Sequence, residues 1–111
     1  MYRKSNNMNK ERVELLKKFR DEDTNDPFPI YGLAMEYLHE LPSEALALFN
    51  LLLNDHPDYL PVYYTAAHFL LEQGNEDRAK ELLRTGIELS ITQKNDKATR
   101  ELRSALEQLE F

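Results

Sequence analysis

Apolar positions along this chain recur with the period of an α-helix, in blocks separated by short polar stretches. Ala45, Leu46, Leu48, Phe49, Leu52 and Leu53 follow i, i+3, i+4, i+7 spacing and so line one face of a helix. Ala79, Leu82, Leu83, Ile87 and Leu89 repeat that face, with Ala79 placed 34 residues after Ala45. An aromatic-rich helical run precedes each block, Ile30 to Leu38 before the first and Tyr63 to Leu71 before the second. These runs correspond at a shift of 33, from Leu33 to Ala66 and from Tyr37 to Leu70. The one-residue difference falls in the turn His39-Glu40-Leu41-Pro42-Ser43. The pattern predicts helix pairs repeated in tandem, and with only 3 Gly and 5 Pro the chain lacks the turn signals of an all-β fold.

The two blocks resemble the tetratricopeptide-repeat family, whose pattern is a large residue, x2, Leu, small, x2, Tyr, then Ala-x3-Phe and a closing Pro. The first repeat reads Ile30-x2-Leu33-Ala34-x2-Tyr37, Ala45-x3-Phe49 and Pro57. It departs in lacking the opening Trp and in a turn one residue short. The second reads Tyr63-x2-Ala66-Ala67-x2-Leu70, Gly74 and Ala79-x3-Leu83, with Ile91 where the closing Pro would stand. Packed antiparallel helices approach closely only where side chains are small. Ala34, Ala45, Ala67 and Ala79 are therefore expected at helix crossings, with Leu33, Tyr37, Phe49, Leu52, Leu70 and Leu83 filling the gaps. Asp26 before Pro27, Asp58 before Pro61 and Asn75 after Gly74 are expected helix starts. Leu15, Leu16 and Phe19 occupy positions equivalent to Leu48, Phe49 and Leu52, which places a degenerate half-repeat at 8–20. Ala98, Leu102, Ala105, Leu106 and Leu109 form a stripe suited to a capping helix. The resemblance implies an all-α fold, about six helices in antiparallel pairs stacked as a short right-handed α-solenoid. The expected plan is one domain: a mobile tail at 1–7, the half-repeat helix at 8–20, repeats at 27–57 and 60–91, and the cap at 95–110.

Charge changes the picture of the partner. Residues 1–20 hold seven Lys or Arg against Glu11 and Glu14, whereas residues 21–77 hold twelve Asp or Glu and no Lys or Arg. Phosphate neutralisation needs clustered cations, so nucleic acid is not an expected partner. No apolar run approaches the roughly 20 residues of a membrane span, and the N-terminal stretch has no continuous apolar segment of the signal-peptide kind. The absence of Cys removes disulfides, thiolate chemistry and cysteine zinc sites, and fits a cytoplasmic protein.

In the family's geometry the first helix of each pair lines the concave face. That implies a partner-binding surface of Phe28, Tyr31, Met35, Leu38 and His39 from the first repeat, and of Tyr64, His68, Leu71 and Glu72 from the second. Chaperone-binding members grip a C-terminal carboxylate with Lys, Arg and Asn; here Met35 and Thr65 stand on those surfaces, so that function is not expected. His39, His68 and Glu72 could meet around a metal, but no HExxH-like spacing supports it, and His56 belongs to a turn. No P-loop, G-x-S-x-G or G-x-G-x-x-G occurs. The expectation is a non-catalytic module without metal or cofactor, binding a basic or basic-amphipathic peptide or helix of another protein. The alternative is a self-associating homodimer whose groove is filled by its own or a neighbour's terminal segment.

Overall fold

A computed structural model describes residues 8–110, and the tail expected at 1–7 lies outside them. Among the described residues six helices succeed one another: α1 (Lys10–Glu22), α2 (Pro27–Tyr37), α3 (Pro42–Asp55), α4 (Pro61–Glu72), α5 (Glu76–Thr92) and α6 (Asp96–Leu109). No strand occurs among the described residues. The chain divides into two compact units, Met1–Pro57 and Asp58–Phe111.

In the first unit, Asn9 caps α1 by accepting the Arg12 N–H at 3.0 Å, and Asp26 caps α2 by accepting the Phe28 N–H at 3.0 Å. These bonds satisfy donors that have no partner inside the helix. Pro27 and Pro42 open α2 and α3, where a missing N–H costs nothing. Helix α2 packs against both α1 and α3. Val13, Leu16 and Leu33 form a buried cluster, with Tyr37 and Leu48 packed against it. Ala34 and Ala45 have no exposed surface, and Phe49 and Leu52 are buried beside them in sequence. Gly32 admits Leu16: a Cβ there would stand 3.0 Å from a Leu16 methyl.

Phe19 corrects one expectation. It aligns with the buried Leu52 yet is 43% exposed, and Leu15 is exposed too. Helix α1 packs on α2 through Val13 and Leu16, and Leu15 and Phe19 stay in solvent.

In the second unit, α5 packs against both α4 and α6. Ala67, Ala79, Val62 and Leu83 are fully buried. Gly86 faces both neighbouring helices at close range: a Cβ there would be 2.9 Å from Tyr63 Cβ and 3.3 Å from both Leu102 methyls. The burial of Tyr63 raises its phenol above the ordinary tyrosine value; Asp58 adds to the shift and Arg78 opposes it.

Gly74 ends α4 at φ 84°, where the Asn75 N–H donates to Leu70 O at 2.8 Å and the Gly74 N–H to Leu71 O at 3.0 Å. This is the Schellman arrangement, which satisfies the helix's last carbonyls. Asn75 then caps α5 by accepting the Arg78 N–H. The same arrangement recurs between α5 and α6. The Asn95 N–H donates to Ser90 O at 2.9 Å, the Lys94 N–H to Ile91 O at 3.0 Å, and Asn95 caps α6 by accepting the Ala98 N–H.

The expected start at Asp58 is not used. Helix α4 has Leu60, with helical φ and ψ, at its N-cap and no side-chain cap bond. The Asp58 carbonyl instead accepts a hydrogen bond from the Gln93 side-chain amide at 2.8 Å.

Candidate partner-binding surface

Phe28, Tyr31, Met35 and Leu38 follow i, i+3, i+7, i+10 and so fall on one stripe of α2 and its C-cap. The opposite side of α2 is committed to packing through Ile30, Leu33 and Ala34. Phe28 is 53% and Met35 41% exposed, while Tyr31 and Leu38 are half-buried. Tyr31 is held by an interaction of its own, so the more accessible contacts on this stripe are the phenyl ring and the thioether. His39 lies in the turn that the run His39-Glu40-Leu41-Pro42-Ser43 predicts, beyond the end of α2. Helix α2 ends at Tyr37 with Leu38 as C-cap, because Pro42 already opens α3, and His39 stands exposed in the turn between them.

On α4, Tyr64 and His68 are one turn apart and both exposed, with ring centroids 4.4 Å apart and planes tilted by 56°. Leu71 is half-buried and Glu72 exposed at the end of the helix. His68 and Glu72 share a side of α4, whereas His39 belongs to the other unit. Among the described residues no group of three or more His, Cys, Asp or Glu is placed to hold a metal ion.

The acidic stretch is not uniformly free to attract a ligand. Glu36 accepts the Arg12 guanidinium at 3.0 Å through one carboxylate oxygen and the Asn9 N–H at 3.0 Å through the other. Glu40 accepts the Met8 N–H at 3.2 Å. These two acids fasten the start of the basic helix α1 to the end of α2 and its turn. Sequence reading missed this role, and its only trace there is opposite charge in segments far apart along the chain. Asp21 pairs with Arg20 at 3.5 Å, which leaves Glu22 and Asp23 exposed ahead of Phe28.

Two comparisons place this geometry among known proteins. A family model described as tetratricopeptide repeat matches residues 37–89, from the last residue of α2 into α5. The solution NMR structure of a tetratricopeptide repeat domain protein from Salinibacter ruber is 36% identical. That match covers 79% of this chain and 90% of that one, with a TM-score of 0.75.

The chain belongs to the tetratricopeptide-repeat family.

A crystal structure of a tetratricopeptide repeat domain protein from the same organism is also 36% identical, over 75% of this chain and 93% of that one, with a TM-score of 0.70. No curated protein matches the chain. Tetratricopeptide repeats generally serve protein–protein interaction and are generally non-catalytic, which gives the coarse function of this chain. Among the described residues no helix is long and apolar enough to cross a membrane.

Proposed function

We propose that this tetratricopeptide-repeat chain binds basic or basic-amphipathic segments of another protein, with the aromatic face of α2 in the first unit and that of α4 in the second each a contact surface by itself. The observation that carries the reading is the exposure of Phe28, Met35 and Tyr64 within a stretch, residues 21–77, that has no Lys or Arg. Large apolar side chains left in water gain free energy when a partner covers them. Methionine adapts its shape to different partners. Lys or Arg over the face of an aromatic ring contributes a further ~0.5–2 kcal/mol. Exposed acidic residues that form no ion pair among the described residues, such as Glu22 and Glu72, raise the local concentration of a cationic segment and speed its arrival.

Isothermal titration with a Lys/Arg-rich amphipathic peptide and with its Glu-substituted counterpart tests the reading. The basic peptide should bind and the acidic one should not. Affinity should fall as the Debye length shrinks from about 10 Å at 0.1 M salt to about 3 Å at 1 M. Phe28→Ala with Tyr64→Ala should weaken binding about tenfold with an unchanged circular-dichroism spectrum, because both rings are exposed. Preference for the acidic peptide, or indifference to salt and to the double substitution, would reject it. Light scattering at two concentrations separates the rival: a doubled mass together with no peptide binding would mean that a second copy occupies these faces.

A further inference from the structure

Four large apolar side chains left exposed belong to one side of the α1–α2 pair: Leu15 and Phe19 on α1, Phe28 and Met35 on α2. Two contacts fix how the helices face each other. Arg12 pairs with Glu36 at 3.0 Å, and Leu16 packs into the space that Gly32 leaves. The helices therefore run antiparallel, and continuing that register by four residues brings Arg20 level with Phe28, with Phe19 next to it. Around α1, Arg12, Phe19 and Leu15 lie roughly 40°, 60° and 100° to one side of buried Leu16. Around α2, Glu36, Gly32, Phe28 and Met35 lie roughly 60°, 100°, 140° and 160° to one side of buried Leu33. The ion pair between Arg12 and Glu36 shows that these are the same side of the pair. Lys10, Glu14 and Lys17 lie on the other side, where they line a surface groove with Tyr37 and Leu41.

We propose that this two-helix patch takes an amphipathic helix of a partner protein, with Lys or Arg flanking its apolar stripe. The proposal rests on the basic-segment reading of α2 and deepens it: α1 joins the contact surface, and the bound segment is a helix. The repeat register supplies the reason for a helix. Leu15 and Phe19 stand where Leu48 and Leu52 stand on α3. There Leu52 is fully buried and Leu48 packs against the Val13–Leu16–Leu33 cluster, so on α3 the stripe serves helix packing. Arg12 stands where Ala45 does, and an incoming helix cannot cross α1 as closely as α2 crosses α3. It rests on Leu15, Phe19 and Phe28 instead, which makes the contact reversible rather than a permanent subunit interface.

Charge selects the helix. Glu11 stands one turn before Leu15, Lys18 one turn after it, and Glu22 one turn after Phe19. Asp23 and Asp26 lie in the turn beside Phe28; each accepts a backbone N–H, which brings no cation to it. With Arg12 committed to Glu36, Lys18 alone opposes these acids. The patch is apolar with an acidic surround, the complement of an apolar stripe between cations. Two copies of the same face would set acid against acid, which disfavours a second copy as the occupant.

The test is a ¹H–¹⁵N NMR titration of the full chain with two peptides of one composition and charge. In one, leucines at i, i+3, i+4 and i+7 share a helix face among Lys and Arg; in the other, the order is scrambled so that they do not. The amphipathic peptide should shift the amides of Leu15, Phe19 and Phe28 together and bind about tenfold more tightly than the scrambled one. Leu15→Ser with Phe19→Ser, both at exposed positions, should keep the spectrum folded and lower that affinity about tenfold. Equal affinity for the two peptides, shifts confined to α2 and α4, or full affinity in the double variant would each overturn this proposal and leave the reading of α2 and α4 in place. Absence of binding by either peptide would remove both. A doubled mass in light scattering that the double variant returns to a monomer would assign the patch to a second copy instead.

Discussion

Gly86 touches two neighbouring helices through an absent side chain. Glycine in a helix interior costs about 1 kcal/mol relative to alanine, so helix propensity alone would favour Gly86→Ala. The new methyl would meet Tyr63 Cβ at 2.9 Å, an atom fixed to its backbone, and α4 and α5 would have to separate. Overpacking costs about 1–3 kcal/mol and decides the sign: Gly86→Ala should lower the melting temperature. Gly32→Ala should change stability by less than about 1 kcal/mol, because the atoms it meets are the rotatable methyls of Leu16. Equal losses at the two glycines would show that the α4–α5 crossing is not the tighter one. Lys94 gives the opposite case. It occupies φ 58°, a conformation that costs an L-residue about 1–2 kcal/mol, in the turn position that Gly74 fills elsewhere. Lys94→Gly should therefore raise denaturant-measured stability by about 1 kcal/mol. Gly74 and Asn75 were readable as a turn and a helix start. Lys94 and Gly86 were not, because a lysine carries no turn signal and a helical glycine reads as a weakness until its neighbours are known.

At the scale of the element, the alanines carry the most information. Ala45 and Ala79 recur at one period and are both fully buried, so spacing alone located tight packing positions on α3 and α5. Ala45→Leu should cost about 1–3 kcal/mol by overpacking, and Phe49→Ala about 3–5 kcal/mol by leaving a cavity. Thermal melts check both. Helix α1 was legible as a helix but not in its exposure, since periodicity tells which residues share a face and not whether another helix covers it. Only Val13 and Leu16 of α1 are buried, and its start hangs on Glu36 and Glu40. Amide exchange in α1 should consequently be faster than in α5, and Glu36→Gln, which weakens the Arg12 contact, should speed it further. The start of α4 was misread at Asp58 because a proline three residues on suits a capped helix, whereas here the backbone enters through Leu60 in a helical conformation.

Across the whole molecule, each unit has a buried core of its own. In the second, α6 contributes Leu102 and Thr99, and the Thr99 hydroxyl lies 2.6 Å from that of Ser90. Deleting residues 95–111 would strip the cover from Gly86 and Ser90 and should cost at least about 2 kcal/mol, roughly the burial of one leucine. A deletion variant that melts with the full chain would deny α6 the role of a cap. The aromatic residues proposed as a partner surface were legible from spacing together with the family resemblance. The patch that Leu15 and Phe19 make with Phe28 was not, because those residues lie on two helices and no local pattern joins them. The joint at Gly74–Asn75 and the joint at Lys94–Asn95 are one part used twice: a left-handed residue closes one helix, and the asparagine after it opens the next. Helix α5 is the receiving end of the first joint and the giving end of the second. Lengthening such a chain requires no new kind of corner, only a further copy of this one and a helix to follow it.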